Sequence, residues 1–280
     1  MAQVRIVTDS ASDLPPDEAA EMGITVVPLV VTMGEETFWD GEMDLDRFWE
    51  KAAEVHPKSS QPPVGVYQQA FAPLVEEGYE VICIAITSKH SGTYNSAVTA
   101  AQAFEGKVSV FDSLSLSWGQ RFQAEAAAKA ARQGKSRQEI LALLKDLREQ
   151  THLFILLDTI EYLKRGGRAA RFISIVERVI RFFNIKPLLN MKEGELGLLG
   201  TANSQRRGLL RIQREVAALG ECQRLAILHT RSEEVAERFA ATLKEKLDFS
   251  GEIPVQETGA VLSTHAGPGT VALGALEAAD

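Results

Sequence analysis

The chain has 280 residues, 45% of them hydrophobic, enough to bury the core of one very large domain or of two ordinary ones. Its formal net charge of −8 argues against nucleic acid as a partner, because neutralising phosphates requires a broad basic surface. Cys83 and Cys222, far apart in sequence, suggest reduced thiols instead of a disulfide framework or a zinc site. The early polar residues of MAQVRIVTDSASD, and the lack of any apolar run near the roughly 20 residues that span a bilayer, predict a cytoplasmic protein.

The elements alternate from the start. Val4 to Val7 reads as a strand, Pro15 opens a helix that ends near Gly23, and Ile24 to Thr32 reads as extended. Asp44 can cap a helix carrying Leu45, Phe48 and Trp49, and Pro62-Pro63 can open another that holds Val66, Tyr67, Ala70 and Phe71 and stops at Gly78. The apolar run Val81 to Ile86 fits a strand covered on both faces. It breaks into TSKHSGTYNS, where Thr87, Ser88, Ser91, Thr93 and Ser96 offer hydroxyls, Gly92 permits close backbone approach, and a helix resumes from Tyr94 to Gln102. A carboxylate or phosphate oxygen suits such a loop, and so does ordinary helix capping. Val108 to Phe111 is the next strand. Ser136 and Glu139 form a capping box ahead of Ile140, Leu143, Leu144 and Leu147, and His152 to Leu157 is another buried strand.

After that the texture changes. Ile160 to Phe183 is helical and basic with a break at Gly166-Gly167, and Asn184 to Leu199 resembles a ribbon turning near Glu193-Gly194. A helix over Arg206 to Leu219, a strand at Leu225 to Leu228, a helix over Glu233 to Leu247 and two short strands flanking Thr258-Gly259 follow. The fold class is α/β, with an N-terminal α/β domain on a parallel sheet over residues 1–160 and a smaller α/β domain over 161–280.

Small polar groups follow each buried run: Thr8-Asp9-Ser10, Thr87-Ser88, Asp112-Ser113, Asp158-Thr159 and Thr230-Arg231-Ser232. In an open parallel sheet these loops share one edge, where ligands bind, although capping explains part of the pattern. No GxGxxG follows a strand, and there is no Walker lysine loop and no GxSxG elbow. Asp9 and Asp13, beside Pro15-Pro16, read as supports for a turn and helix start more readily than as metal ligands or paired acids. The histidines show no metal-ligand spacing, so neither metal nor cofactor is expected. His265, in STHAGPG, sits where Gly and Pro fix a tight turn; its imidazole can donate a hydrogen bond, carry charge, or simply pack.

Seven ordered motifs carry a resemblance across nearly the whole chain: IVTDSASDLP from Ile6, ITVVPLVV from Ile24, SSQPP from Ser59, SGTYNSA from Ser91, LDTIEYLKRGGR from Leu157, NIKPLL from Asn184 and THAGPG from Thr264. Together they resemble the DegV family, fatty-acid-binding proteins that serve bacterial fatty acid kinases. That resemblance implies a two-domain DegV-like fold holding one long-chain fatty acid, such as palmitate or oleate, in an apolar ligand tunnel at the domain interface. Ser91 and Ser59 would hydrogen-bond its carboxylate, with His265 beside it. Ser59 stands where the family usually has threonine, and Ser60 is a substitute donor. The resemblance also implies a separate ATP-dependent fatty acid kinase that converts the bound carboxylate to an acyl phosphate for phospholipid synthesis. This chain would then be a carrier with no catalytic residue, and Arg168 of the GGR motif would handle phosphate or dock the kinase. Asn203 falls where many relatives carry a basic residue, and Gln205 nearby is also neutral, which weakens the expected kinase coupling.

Arg171, Arg178 and Arg181 form one stripe opposite Phe172, Ile173, Val176, Val179 and Ile180. Such a helix suits transient contact with an acidic membrane surface or a partner, and equally a solvated face. Two other readings stay open: a serine-dependent lipid hydrolase or acyltransferase with Ser91 as nucleophile and His265 as base, and a regulatory module sensing a small anionic metabolite in a short polar pocket.

Overall fold

The run Val81–Ile86 builds the centre of a four-stranded parallel sheet in the order β2-β1-β6-β7. Its strands are β1 (Val4–Asp9), β2 (Ile24–Val27), β6 (Glu80–Ala85) and β7 (Val108–Asp112). The computed structural model describes residues 3–167 and 185–278. Ile6 lies beside both Ile24 and Ile82, and Ile84 lies beside Phe111. Alternation then sorts the side chains by face. Val4, Ile6, Ile82 and Ile84 meet Ala124, Ala127 and Ala128 of α5 (Trp118–Arg132) and Ile140 and Leu144 of α6 (Arg137–Gln150). On the opposite face Val7, Val27, Val81 and Cys83 meet Tyr67 and Phe71 of α3 (Val64–Glu76) and Ala97 and Ala100 of α4 (Thr93–Ala101). Both faces are covered, which is why this strand carries no polar alternation.

Local signals fix the helix ends. Asp44 caps α2 (Leu45–Glu54) by accepting from the backbone N–H groups of Asp46 and Arg47. Ser136 and Glu139 form the reciprocal capping box ahead of α6, with Ser136 N–H donating to Glu139 Oε2 at 2.8 Å and Glu139 N–H to Ser136 Oγ at 3.4 Å.

The extended segment expected over Ile24 to Thr32 is two strands in two sheets. Pro28 has no N–H to continue a ladder, and the chain leaves β2 there. It resumes as β3 (Val30–Met33), which pairs antiparallel with β4 (Glu36–Trp39) and β5 (Lys58–Ser60).

Contacts divide the chain into two units, Met1–Glu149 with Gly259–Val261, and Gln150–Thr258 with Leu262–Asp280. The second unit holds a six-stranded sheet in the order β10-β9-β8-β13-β11-β12. Its strands are β8 (Thr151–Leu156), β9 (Lys186–Lys192), β10 (Glu195–Ala202), β11 (Cys222–His229), β12 (Val255–Glu257) and β13 (Val271–Glu277). Glu193 and Gly194 both have positive φ, 50° and 81°, as a tight β9–β10 hairpin turn requires. Phe154, Leu156, Ile227 and Leu273 pack against Ile212 and Val216 of α8 (Gln205–Leu219) and Phe239 and Leu243 of α9 (Glu233–Lys246). Leu157, Ile160, Leu163 and Leu189 form a smaller cluster around α7 (Glu161–Arg165).

Strand β8 hydrogen-bonds to β9 and β13, which places it in the second sheet. The structure departs from the sequence reading at two elements. The second short strand expected after Gly259 is instead helix α10 (Ala260–Ala266). Strand β13, not anticipated, lies between β8 and β11.

Among the described residues no helix is long and apolar enough to cross a membrane. Gly208 lets α8 lie close on β8, since a Cβ there would fall inside van der Waals contact of both Leu156 methyls. Gly208→Ala should therefore cost about 1–2 kcal/mol in urea unfolding, overpacking outweighing the roughly 1 kcal/mol gain in helix propensity. A stabilised variant would show that α8 has room to move.

Candidate functional site

In the first unit the winding of the parallel sheet reverses between β1 and β6, and the carboxyl ends of those strands form the crevice where such sheets bind ligands. Asp9 bridges it. Its Oδ2 accepts from Ile86 N–H at 2.8 Å and its Oδ1 from Ala11 N–H at 3.1 Å. Burial pushes the Asp9 carboxyl up to about 7, against the lowering effect of those N–H groups and of Gln120. Asp40 is pushed up to about 6, chiefly by burial, while the Ser10 hydroxyl opposes the rise. Asp13, at φ 53°, accepts from the Ser117 hydroxyl and from Gly259 N–H, and Asp40 accepts from Val261 N–H at 3.2 Å. The aspartates thus hold turns and the first turn of α10. Among the described residues no cluster of three or more His, Cys, Asp or Glu is placed to hold a metal ion.

The polar strand ends do not share a single edge. In the first unit they bind one another: Ser88 N–H donates to Asp112 at 3.2 Å, Ser113 N–H to Ala85 O at 3.1 Å and Thr87 N–H to Ser115 O at 2.9 Å. Asp158-Thr159 and Thr230-Arg231-Ser232 belong to the second unit, whose sheet runs mostly antiparallel.

The hydroxyl-rich loop of the first unit is the one after β6. Ser91 lies just before α4, half-buried, and its Oγ accepts from Thr93 N–H at 3.2 Å and lies 2.8 Å from Thr93 Oγ1. When the buried Thr93 hydroxyl donates along that contact, the Ser91 oxygen is satisfied as an acceptor and its own proton is free for a ligand. Ser59 lies in β5 opposite Val31. Two residues on, Gln61 reaches this loop: its Nε2 donates to Ser96 Oγ at 3.0 Å, and its Oε1 occupies the place a Cβ on Gly92 would take. The SSQPP and SGTYNSA segments therefore meet. Gln61 lies within the SSQPP motif, but its role is not legible there, because nothing in the sequence shows that the space over Gly92 is open to it.

In the second unit the LDTIEYLKRGG and THAGPG segments also meet, through glycines. His265, in the last turn of α10, has its Nδ1 where a Cβ on Gly166 would stand. A Cβ on Gly267 would lie 2.6 Å from Tyr162 Cδ2, and one on Gly269 would lie 2.8 Å from Asp158 Cβ. Asp158 forms an ion pair with Lys186 of the NIKPLL segment. Arg168, like Arg171, Arg178 and Arg181, lies outside the described residues.

Residues 3–278 match the family model described as "Uncharacterised protein, DegV family". A DegV domain-containing protein of Halalkalibacterium halodurans is 32% identical over 282 aligned residues, covering 98% of each chain. Among solved structures, one reporting fatty acid binding of a DegV family protein from Thermus thermophilus superposes with a TM-score of 0.87 at 31% identity, covering 99% of this chain and 100% of the other. A stearic acid-binding protein from Eubacterium ventriosum superposes with a TM-score of 0.88 at 25% identity, covering 99% and 98%. The α/β architecture, the ordered motifs and the match over almost the full length lead to one conclusion: this chain belongs to the DegV family.

Proposed function

We propose that this protein binds a long-chain fatty acid and holds its carboxylate by the hydroxyls of Ser59 and Ser91. The observation that carries the reading is the meeting of SSQPP and SGTYNSA through Gln61 and Gly92, which brings two hydroxyl-bearing segments together beside a sheet switch point. Fatty acid binding by the Thermus thermophilus relative and stearic acid binding by the Eubacterium ventriosum one support it. Neutral hydroxyls suit a ligand whose carboxylate must later react, because they hold the anion without the deep well of a buried salt bridge. His265 is a third candidate contact.

The same proposal makes the protein a carrier for a separate ATP-dependent kinase, with Arg168 handling phosphate or docking that partner. Bringing one anion against another requires nearby cations, and a guanidinium in the GGR motif supplies one.

Denaturing extraction followed by mass spectrometry for lipids is the test. The purified protein should release a fatty acid, or take up added palmitate, oleate or stearate after delipidation. No fatty acid in either arm would remove the carrier reading. Arg168→Ala should keep fatty acid uptake and reduce kinase-dependent acyl phosphate formation; lost uptake would make Arg168 structural instead.

A further inference from the structure

We infer that Gln61 is the residue that positions the Ser91 hydroxyl, with Gly92 its receptor. The inference rests on the reading of Ser59 and Ser91 as the carboxylate site. Gln61 follows β5 directly, so its backbone moves with Ser59, while its side chain is anchored on the other segment. The amide divides its two ends between two tasks. Nε2 donates to Ser96 Oγ at 3.0 Å, inside the first turns of α4, and Oε1 fills the space above Gly92 Cα. Ser96 is buried and its backbone N–H donates to Gly92 O at 3.0 Å, so the groups that Gln61 touches are already tied to each other. Gly92 is the residue between Ser91 and Thr93, whose amide and hydroxyl together fix the Ser91 Oγ. A side chain seated over Gly92 therefore restricts the backbone between Ser91 and Thr93, on which the placement of the Ser91 hydroxyl depends.

This also gives Gly92 a reason to be glycine that its dihedrals do not provide. Its φ is −77°, open to any residue. A Cβ there would conflict only with the amide of Gln61 and would displace it.

Stearate binding to the delipidated full-length chain, measured by isothermal titration, tests the inference together with the melting temperature of the ligand-free protein. Gln61→Ala should weaken binding about tenfold, and Gln61→Met, which keeps the length but lacks the donor, should weaken it similarly, with ligand-free melting unchanged. Gly92→Ala alone should weaken binding because the methyl evicts Gln61. Added to Gln61→Ala it should have no further effect, since the space is then empty. Gln61→Ala binding within twofold of the wild type, or Gly92→Ala acting fully in both backgrounds, would overturn the positioning role. Wild-type protein that takes up no stearate would instead overturn the fatty acid reading itself, and this inference with it.

Discussion

Replacing Ser59 and Ser91 together by alanine should weaken fatty acid binding by about 3 kcal/mol, roughly a hundredfold in Kd, with each single variant near tenfold. The estimate follows from what the anion loses. A carboxylate held by two hydroxyls and stripped of both keeps its desolvation cost without its donors, and hydrogen bonds to a charged group contribute more than neutral ones. Isothermal titration with stearate measures it. A double variant within threefold of the wild type would place the carboxylate elsewhere in the chain. Fold damage is not expected. The Thr93 N–H that loses its Ser91 acceptor belongs to the first turn of α4, and Ser59 keeps its backbone pairing with Val31 through β5.

The same serine bears on the hydrolase alternative. A nucleophilic serine needs a base within hydrogen-bond reach. Both hydrogen bonds of Ser91 run to Thr93, an amide and a hydroxyl that cannot take its proton in catalysis. When the Thr93 hydroxyl donates along its contact with Ser91, the Ser91 proton is left for a ligand.

Much of the fold was legible because its signals are local. The buried run of β6, the capping box of α6 and the positive-φ turn at Glu193-Gly194 each lie within a few residues. Helix α5 is not legible in the sequence, because beyond Trp118 and Phe122 its buried residues are glycine, alanine and polar side chains. Gln120 Nε2 donates to Thr8 Oγ1 at 3.0 Å and Ile84 O at 3.2 Å, Gln123 Nε2 donates to Ser113 O at 3.1 Å, and Arg121 pairs with Glu18 and Glu125 and stacks on Trp118. Apolar periodicity cannot show polar groups whose partners are distant in the chain. Strand β13 was hidden for another reason: Ala272, Gly274 and Ala275 dilute its apolar pattern, and its place comes from pairing with β8 and β11. Helix α10 takes its start from Asp13 and Asp40, which accept from Gly259 and Val261 across 246 and 221 residues of chain. The site divides along the same line. Ser59 and Ser91 were named from their motifs, whereas Gln61 acquires its meaning from Gly92 in a different segment.

Asp9→Ala should lower the unfolding free energy by about 2–5 kcal/mol, and by more at pH 5.5 than at pH 8. The carboxylate is fully buried where β1 ends, and its removal leaves the Ile86 and Ala11 N–H groups without acceptors; each such buried donor costs about 1–3 kcal/mol. The pH dependence has a definite sign. Burial raises the folded carboxyl to about 7 from its usual 3.8, so between those values the native chain binds a proton that the unfolded chain does not. That contribution is complete below the unfolded value, declines as pH rises, and is gone above about 7. The wild type holds part of it at pH 5.5 and little at pH 8, and the alanine variant holds none. Asp9→Asn, which keeps one acceptor oxygen but turns an NH2 toward a donor, should fall between the two and lose the titration as well. Urea unfolding at the two pH values decides it. A penalty below 1 kcal/mol at both would mean that water replaces the carboxylate, and that β1 and β6 are held together at the switch point without the Asp9 bridge.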